Sequence, residues 1–224
     1  MTLLRQASAI AWKDLRIEAR GRHALASVLP FAVTLLLAFG LSLGPGRTFL
    51  QRTAPALLWM AILFSSVLAS RQAYQVEAED DALEGLVLAP VDRTAVFLGK
   101  AVAVVAGLLA LEAAVVLLVA LLFDVRFGGA PLPLGAALLL GSVGMAAVGS
   151  LFGVMATSAR AREAVLPLLM LPVATPVLLA GIRATELAAQ GASGEAASWL
   201  GLLVAFDLLI LALGTLVFGY LVED

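Results

Sequence analysis

Residues 77–123 read EAEDDALEGLVLAPVDRTAVFLGKAVAVVAGLLALEAAVVLLVALLF. The first half holds six of the chain's sixteen acids within 77–100, and the second half, from Ala101, carries one charge, Glu112, in twenty-three residues. Pro90 divides the two, because proline cannot donate a helical hydrogen bond. The apolar run from about Val96 to Phe123 is long enough, at 1.5 Å per residue, to cross roughly 30 Å of hydrocarbon. A dense charged segment thus abuts a membrane-length helix, and the rest of the chain repeats that apolar theme.

The 224 residues are 62% hydrophobic and only 13% charged. Soluble domains carry about 25% charged residues, so lipid is the expected solvent. The net charge of -2 leaves no nucleic-acid footprint. There are no cysteines, which removes disulfides, thiolate metal sites and cysteine nucleophiles. The single histidine, His23, cannot build a multi-histidine metal or haem cage, and no metal site is expected. The first apolar run follows a polar, patterned segment and exceeds a signal peptide's apolar core of roughly 7–15 residues, so it reads as a retained span.

The expected fold is an all-α integral membrane protein, one domain over 1–224. Its spans fall at about 25–43, 53–70, 96–123, 133–155, 164–182 and 199–222. A barrel is excluded because these runs are apolar on both alternating faces. Placing both termini and the second and fourth loops on one side gathers ten of the fourteen lysines and arginines there. The positive-inside rule makes that side cytoplasmic. The longest outer loop is expected from Arg183 to Ser198, rich in Ala, Gly and Ser.

Two further helices are expected at the cytoplasmic face. Within 1–22, Arg5, Lys13, Arg16 and Arg20 fall on one helical arc, with Leu4, Ala11, Leu15 and Ala19 roughly opposite and Trp12 at the boundary. Ile10, Ile17 and Glu18 sit off this pattern. Such a helix suits the membrane interface, its basic side toward lipid phosphates or a partner, or serves as a topology anchor. The second helix covers about 76–89. There Val76, Leu83 and Val87 share one face and Glu77, Asp81 and Glu84 another, with Asp80 and Asp81 suited to a helix start. Pinned between two spans, it reads either as a solvated loop helix or as a docking element that transmits a push.

Three stretches carry a resemblance: WKDLRIEARGR (12–22), APALLWMAILFSSVLASRQ (54–72) and LEGLVLAPVDRTAVFLGK (83–100). In order and spacing they resemble the haem exporter permease of bacterial cytochrome c maturation, the membrane subunit of an ABC-type complex. The resemblance implies a separate cytoplasmic ATPase, a haem-handling membrane protein, a small single-span protein, a periplasmic haem chaperone and a second copy of this chain. It makes 76–89 the coupling helix. The ATPase contact would be centred on Leu83, Glu84, Gly85, Leu86 and Leu88, and flanked by Glu77, Asp80, Asp81, Pro90 and Arg93. Haem would be a substrate of the complex, with no cofactor held by this chain alone and ATP bound in the partner. The residues agree on one point: no G-x-x-x-x-G-K-[ST] loop occurs. No catalytic site of its own is expected, since no acid cluster or activated nucleophile lies within the spans.

Within the spans, Glu112 is expected near mid-membrane and Asp207 roughly 12 Å from the outer end. An ionised acid at a helix centre costs on the order of 2.5–3.5 kcal/mol. Each reads as part of a substrate or proton pathway, or as a protonated group bonded to a neighbouring helix. Gly149 and Gly153 form a G-x-x-x-G packing pair, within the bundle or between subunits. Pro167, Pro172 and Pro176 predict a kinked or partly broken fifth span, either a hinge or outer gate or a fixed bend. Two other functions stay open: an exporter of the same architecture for a drug or lipid, and a non-transporting scaffold that passes ATPase motion to a bound protein.

Overall fold

The structure is a computed structural model that describes residues 2–21, 23–44, 46–79, 92–125, 127, 129–158 and 162–221. Those residues form seven helices: α1 Leu3–Gly21, α2 His23–Ser42, α3 Arg47–Glu79, α4 Arg93–Phe123, α5 Pro131–Ser158, α6 Arg162–Ala189 and α7 Ser193–Leu221. Five contain stretches long and apolar enough to cross a membrane, at Thr48–Gln72, Arg93–Phe123, Pro131–Gly153, Pro167–Ala189 and Ser193–Phe218. α2 adds a shorter apolar stretch, Val28–Ser42.

Side-chain contacts fix the direction of each helix. At one end Gln51 Nε2 donates to the Asp124 carbonyl oxygen at 2.9 Å, Gly40 of α2 lies against Phe123 of α4, and Gly129 abuts the carbonyls of Ala188 and Ala189. At the other end α1 packs on the start of α4, and Phe97 meets Phe218 of α7 with ring centroids 5.4 Å apart. Helices α2, α4 and α6 therefore run one way and α3, α5 and α7 the other. α1 and the last turn of α7 share an end.

The outer-loop expectation at 183–198 is corrected. α6 continues to Ala189 and α7 begins at Ser193. The link is a tight turn in which Gly191 adopts φ +76. Ala192 N donates to Leu187 O (2.9 Å) and Gly191 N to Ala188 O (3.1 Å), the paired bonds of a Schellman ending, which needs a left-handed residue best supplied by glycine. The partly broken fifth span is corrected too: α6 is helical throughout, with all three prolines inside it. Pro172 and Pro176 lie on its exposed side while Met170, Ala174 and Val177 face the core, so the proline rings stay clear of the packed face.

The core gathers around α3. Its apolar stretch is 67% buried, against 22% for α7. α7 instead presents Leu208, Leu209, Leu213 and Leu216 outward, as α4 does with Leu117 and Leu121. Large leucines exposed in such numbers fit a surface solvated by lipid tails.

Candidate functional site

Of the residues assigned to ATPase docking, Asp80, Asp81, Leu83, Glu84, Gly85, Leu86, Leu88 and Pro90 lie outside the described residues. Glu77 belongs to the last turn of α3 and Arg93 is the exposed first residue of α4. α3 continues seven residues beyond Gln72, the end of its apolar stretch, to Glu79, a projection of ~10 Å. α4 starts with Asp92 as its cap: Oδ1 accepts from Thr94 N at 2.8 Å, which satisfies one of the helix's orphan donors. The end of α3 and the capped start of α4 thus form an anchor at the end of the bundle where α1 lies.

α1 is seated on that anchor. Ala7, Ile10 and Ala11 are buried against α4. A Cβ added to Gly99 would come within 2.7 Å of the Ala7 carbonyl oxygen and 2.8 Å of Ile10 Cβ, so only glycine permits the approach. Asp92 N donates to Gln6 Oε1 at 3.2 Å. One helical turn beyond Ile10, Asp14 lies 3.8 Å from Nζ of Lys100, which is only 3% exposed, and 2.9 Å from Nζ of Lys13. The apolar side expected for this helix is corrected in part. Ile10, off pattern in the sequence, is core, whereas Leu4 and Trp12 are 77% and 66% exposed. The seam follows i, i+3, i+4 and i+7 from Ala7 to Asp14, leaving Leu4 and Trp12 on a free flank beside the basic arc.

Both intramembrane acids are buried, at 1% exposure for Glu112 and 5% for Asp207. Ser142 Oγ donates to Glu112 Oε1 at 2.8 Å. Glu112 Oε2 and both oxygens of Asp207 have no hydrogen-bond partner among the described residues. Because α7 begins at Ser193, Asp207 lies at its middle, ~21 Å from its start, deeper than the sequence boundary placed it. The two acids flank α5: Glu112 reaches Ser142, and Asp207 Oδ1 lies over Gly144, 2.7 Å from where a Cβ would stand. Residues two apart on a helix point to different sides, so α5 separates them at one depth.

Gly141, Gly144, Gly149 and Gly153 of α5 are buried, while Gly135 near its start is exposed. Gly149 is filled by Ser70 of α3, and Gly153 is buried on the same helix. Gly141 and Gly181 together house the ring of Trp59, whose Nε1 donates to Thr185 Oγ1 at 2.8 Å. Sequence reasoning missed Asp14, Gly99 and Lys100 as one seam, and Trp59 with Thr185 as another. The available signals were a lysine inside an apolar run and a lone tryptophan at mid-span.

The family model described as CcmB protein matches residues 5–223. The heme exporter protein B of Paracoccus denitrificans is 34% identical over 211 residues, covering 92% of this chain and 93% of that one. That of Rhodobacter capsulatus is 32% identical over 192 residues, 84% of each. The Escherichia coli K12 protein of the same name is 38% identical over 96 residues, so this chain spans under half, 44%, of that relative. By this match and its long apolar helices, the chain belongs to the CcmB protein family and is a multi-pass protein of the bacterial inner membrane.

Proposed function

We propose that this chain is the membrane subunit of an ABC-type complex in cytochrome c maturation. It would use ATP hydrolysed by a separate cytoplasmic subunit to export haem or to release a haem-loaded periplasmic chaperone. The observation that carries the reading is the family match across residues 5–223 in a chain with no phosphate-binding loop of its own. The full proposal has six spans, α2 to α7, with both termini and α1 in the cytoplasm. It rests on ten of fourteen lysines and arginines falling at that end.

In this reading the segment 77–93 receives the ATPase. Its two ends are helical, in α3 up to Glu79 and in α4 from Arg93, which Asp92 caps. A push on the segment reaches α4 directly and α1 through the Gly99–Lys100 seam. Glu112 and Asp207 are the polar candidates on a substrate or proton pathway, and Gly149 and Gly153 the close-packing pair. The further partners are the haem-handling membrane protein, the single-span protein, the periplasmic chaperone, a second copy of this chain and membrane lipid around α1.

The test is purification of the intact complex through a tag on this chain. The expected result is recovery of an ATPase subunit and a haem chaperone, with ATP-dependent haem flux or chaperone release in sealed vesicles. Recovery with an ATPase but no haem-handling protein or pigment moves the assignment to a drug or lipid exporter. Chaperone release without flux selects the scaffold mechanism.

A further inference from the structure

One side of α1 is the seam, with Ala7, Ile10 and Ala11 buried on α4. The side beyond it is uncovered and graded. Leu4, Leu15, Ser8 and Trp12 follow one another from the edge of the seam over an arc of ~80°, and Arg5 and Arg16 take the next ~40°. Leu15 is half-buried, and the other five are exposed. Among the described residues neither guanidinium has an ion-pair or hydrogen-bond partner. An apolar flank thus borders the protein contact, and a cationic crest borders the flank.

The seam also fixes the depth of this helix. From Ala101 to Phe123, α4 carries one charge, Glu112, in twenty-three residues. That length, ~34 Å, matches the ~30 Å of bilayer hydrocarbon. Gly99 and Lys100, against which α1 is seated, therefore stand at the hydrocarbon edge. At that level tryptophan settles among headgroups, leucine meets the upper acyl chains, and arginine extends to phosphate. An acidic soluble protein would answer the arginines alone, whereas Leu4 and Trp12 beside them answer to acyl chains. We infer that the outer flank of α1 is a binding surface for anionic phospholipids. Their chains lie against Leu4, Leu15 and Trp12, and separate headgroups pair with Arg5 and Arg16, which stand ~16 Å apart along the helix. A zwitterionic headgroup brings its own ammonium to the same guanidinium, so net negative lipid is preferred. The inference deepens the contact with membrane lipid proposed above and is independent of what the complex carries, so its failure leaves the transport reading standing.

The chain contains no cysteine, so a single cysteine reports its own position. Ser8→Cys, on the flank, carries a bimane fluorophore in the full chain held in lipid nanodiscs, which present the same lipid on both faces. Leu216→Cys, exposed on the last turns of α7 at the same end, is the control. The quenchers are phosphatidylglycerol and phosphatidylcholine with a nitroxide at the headgroup end of an acyl chain. Bimane at Ser8→Cys should be quenched by the phosphatidylglycerol at about tenfold lower mole fraction, a preference that Leu216→Cys lacks. Arg5→Gln with Arg16→Gln should abolish the preference while quenching persists, and salt of about 0.5 M should erase most of it with the arginines in place. Equal quenching by the two lipids at Ser8→Cys, or the same preference at Leu216→Cys, overturns the anionic site. Quenching by neither lipid shows the flank covered by protein or water and overturns it as well.

Discussion

Two seams in this molecule use the same device for opposite ends. In the α3–α5–α6 seam, Gly141 and Gly181 admit the Trp59 ring deep in the bundle, and the single polar atom is bonded to Thr185. In the α1–α4 seam, Gly99 admits the backbone of Ala7, and the polar groups are an ion pair, Asp14 with Lys100. Both exploit the close approach that a missing Cβ allows. The difference is solvent. Inside the bundle, away from water, the indole N–H of Trp59 is satisfied within the protein, by Thr185. At the membrane edge, the second tolerates charges, because Asp14 keeps 20% of its side chain exposed. The first seam closes a bundle, and the second straps an outer helix to it.

The comparison breaks most visibly at Gly141. Leucine there displaces Trp59 from both glycines, and overpacking of about 3 kcal/mol should abolish recovery of folded protein from detergent. Pairing it with Trp59→Ala should restore part of the yield. Gly99→Leu should cost about 1–3 kcal/mol of α1 docking while the bundle's melting temperature holds, read as faster proteolysis within α1. If Gly99→Leu instead collapses the bundle, the strap is part of the core and the contrast fails. Thr185→Val removes the Trp59 bond without changing shape, for an expected loss of ~0.6–1.7 kcal/mol in thermal stability. Asp14→Asn is smallest, under about 1 kcal/mol, and should be matched in wild type by raising salt, an effect Thr185→Val should not show.

The apolar runs made α3 to α7 legible in the sequence, because a helix that must satisfy its backbone inside lipid announces itself by length, whereas α2 carries only the shorter stretch Val28–Ser42. Helix ends were less legible. Ala, Gly and Ser between 183 and 198 read as loop, yet Gly191 alone makes the turn and the residues around it are helical. The three prolines of α6 read as a kink or partial break, yet the helix is continuous and two of them sit on its outward side. Glu112 and Asp207 were visible as charges in apolar runs, although their common relation to α5 needs packing to see. The face of α1 was misjudged at Ile10, since an amphipathic arc shows where water is absent and does not separate protein contact from lipid contact.

The central claim is that force enters through 77–93. A photo-cross-linking residue at Glu84, in the intact complex, addresses it directly. The account predicts capture of the cytoplasmic ATPase subunit, with a yield that changes between nucleotide-free and ATP-bound states. Failure to capture that subunit in either state, or labelling of position 84 from the periplasmic side, would contradict it.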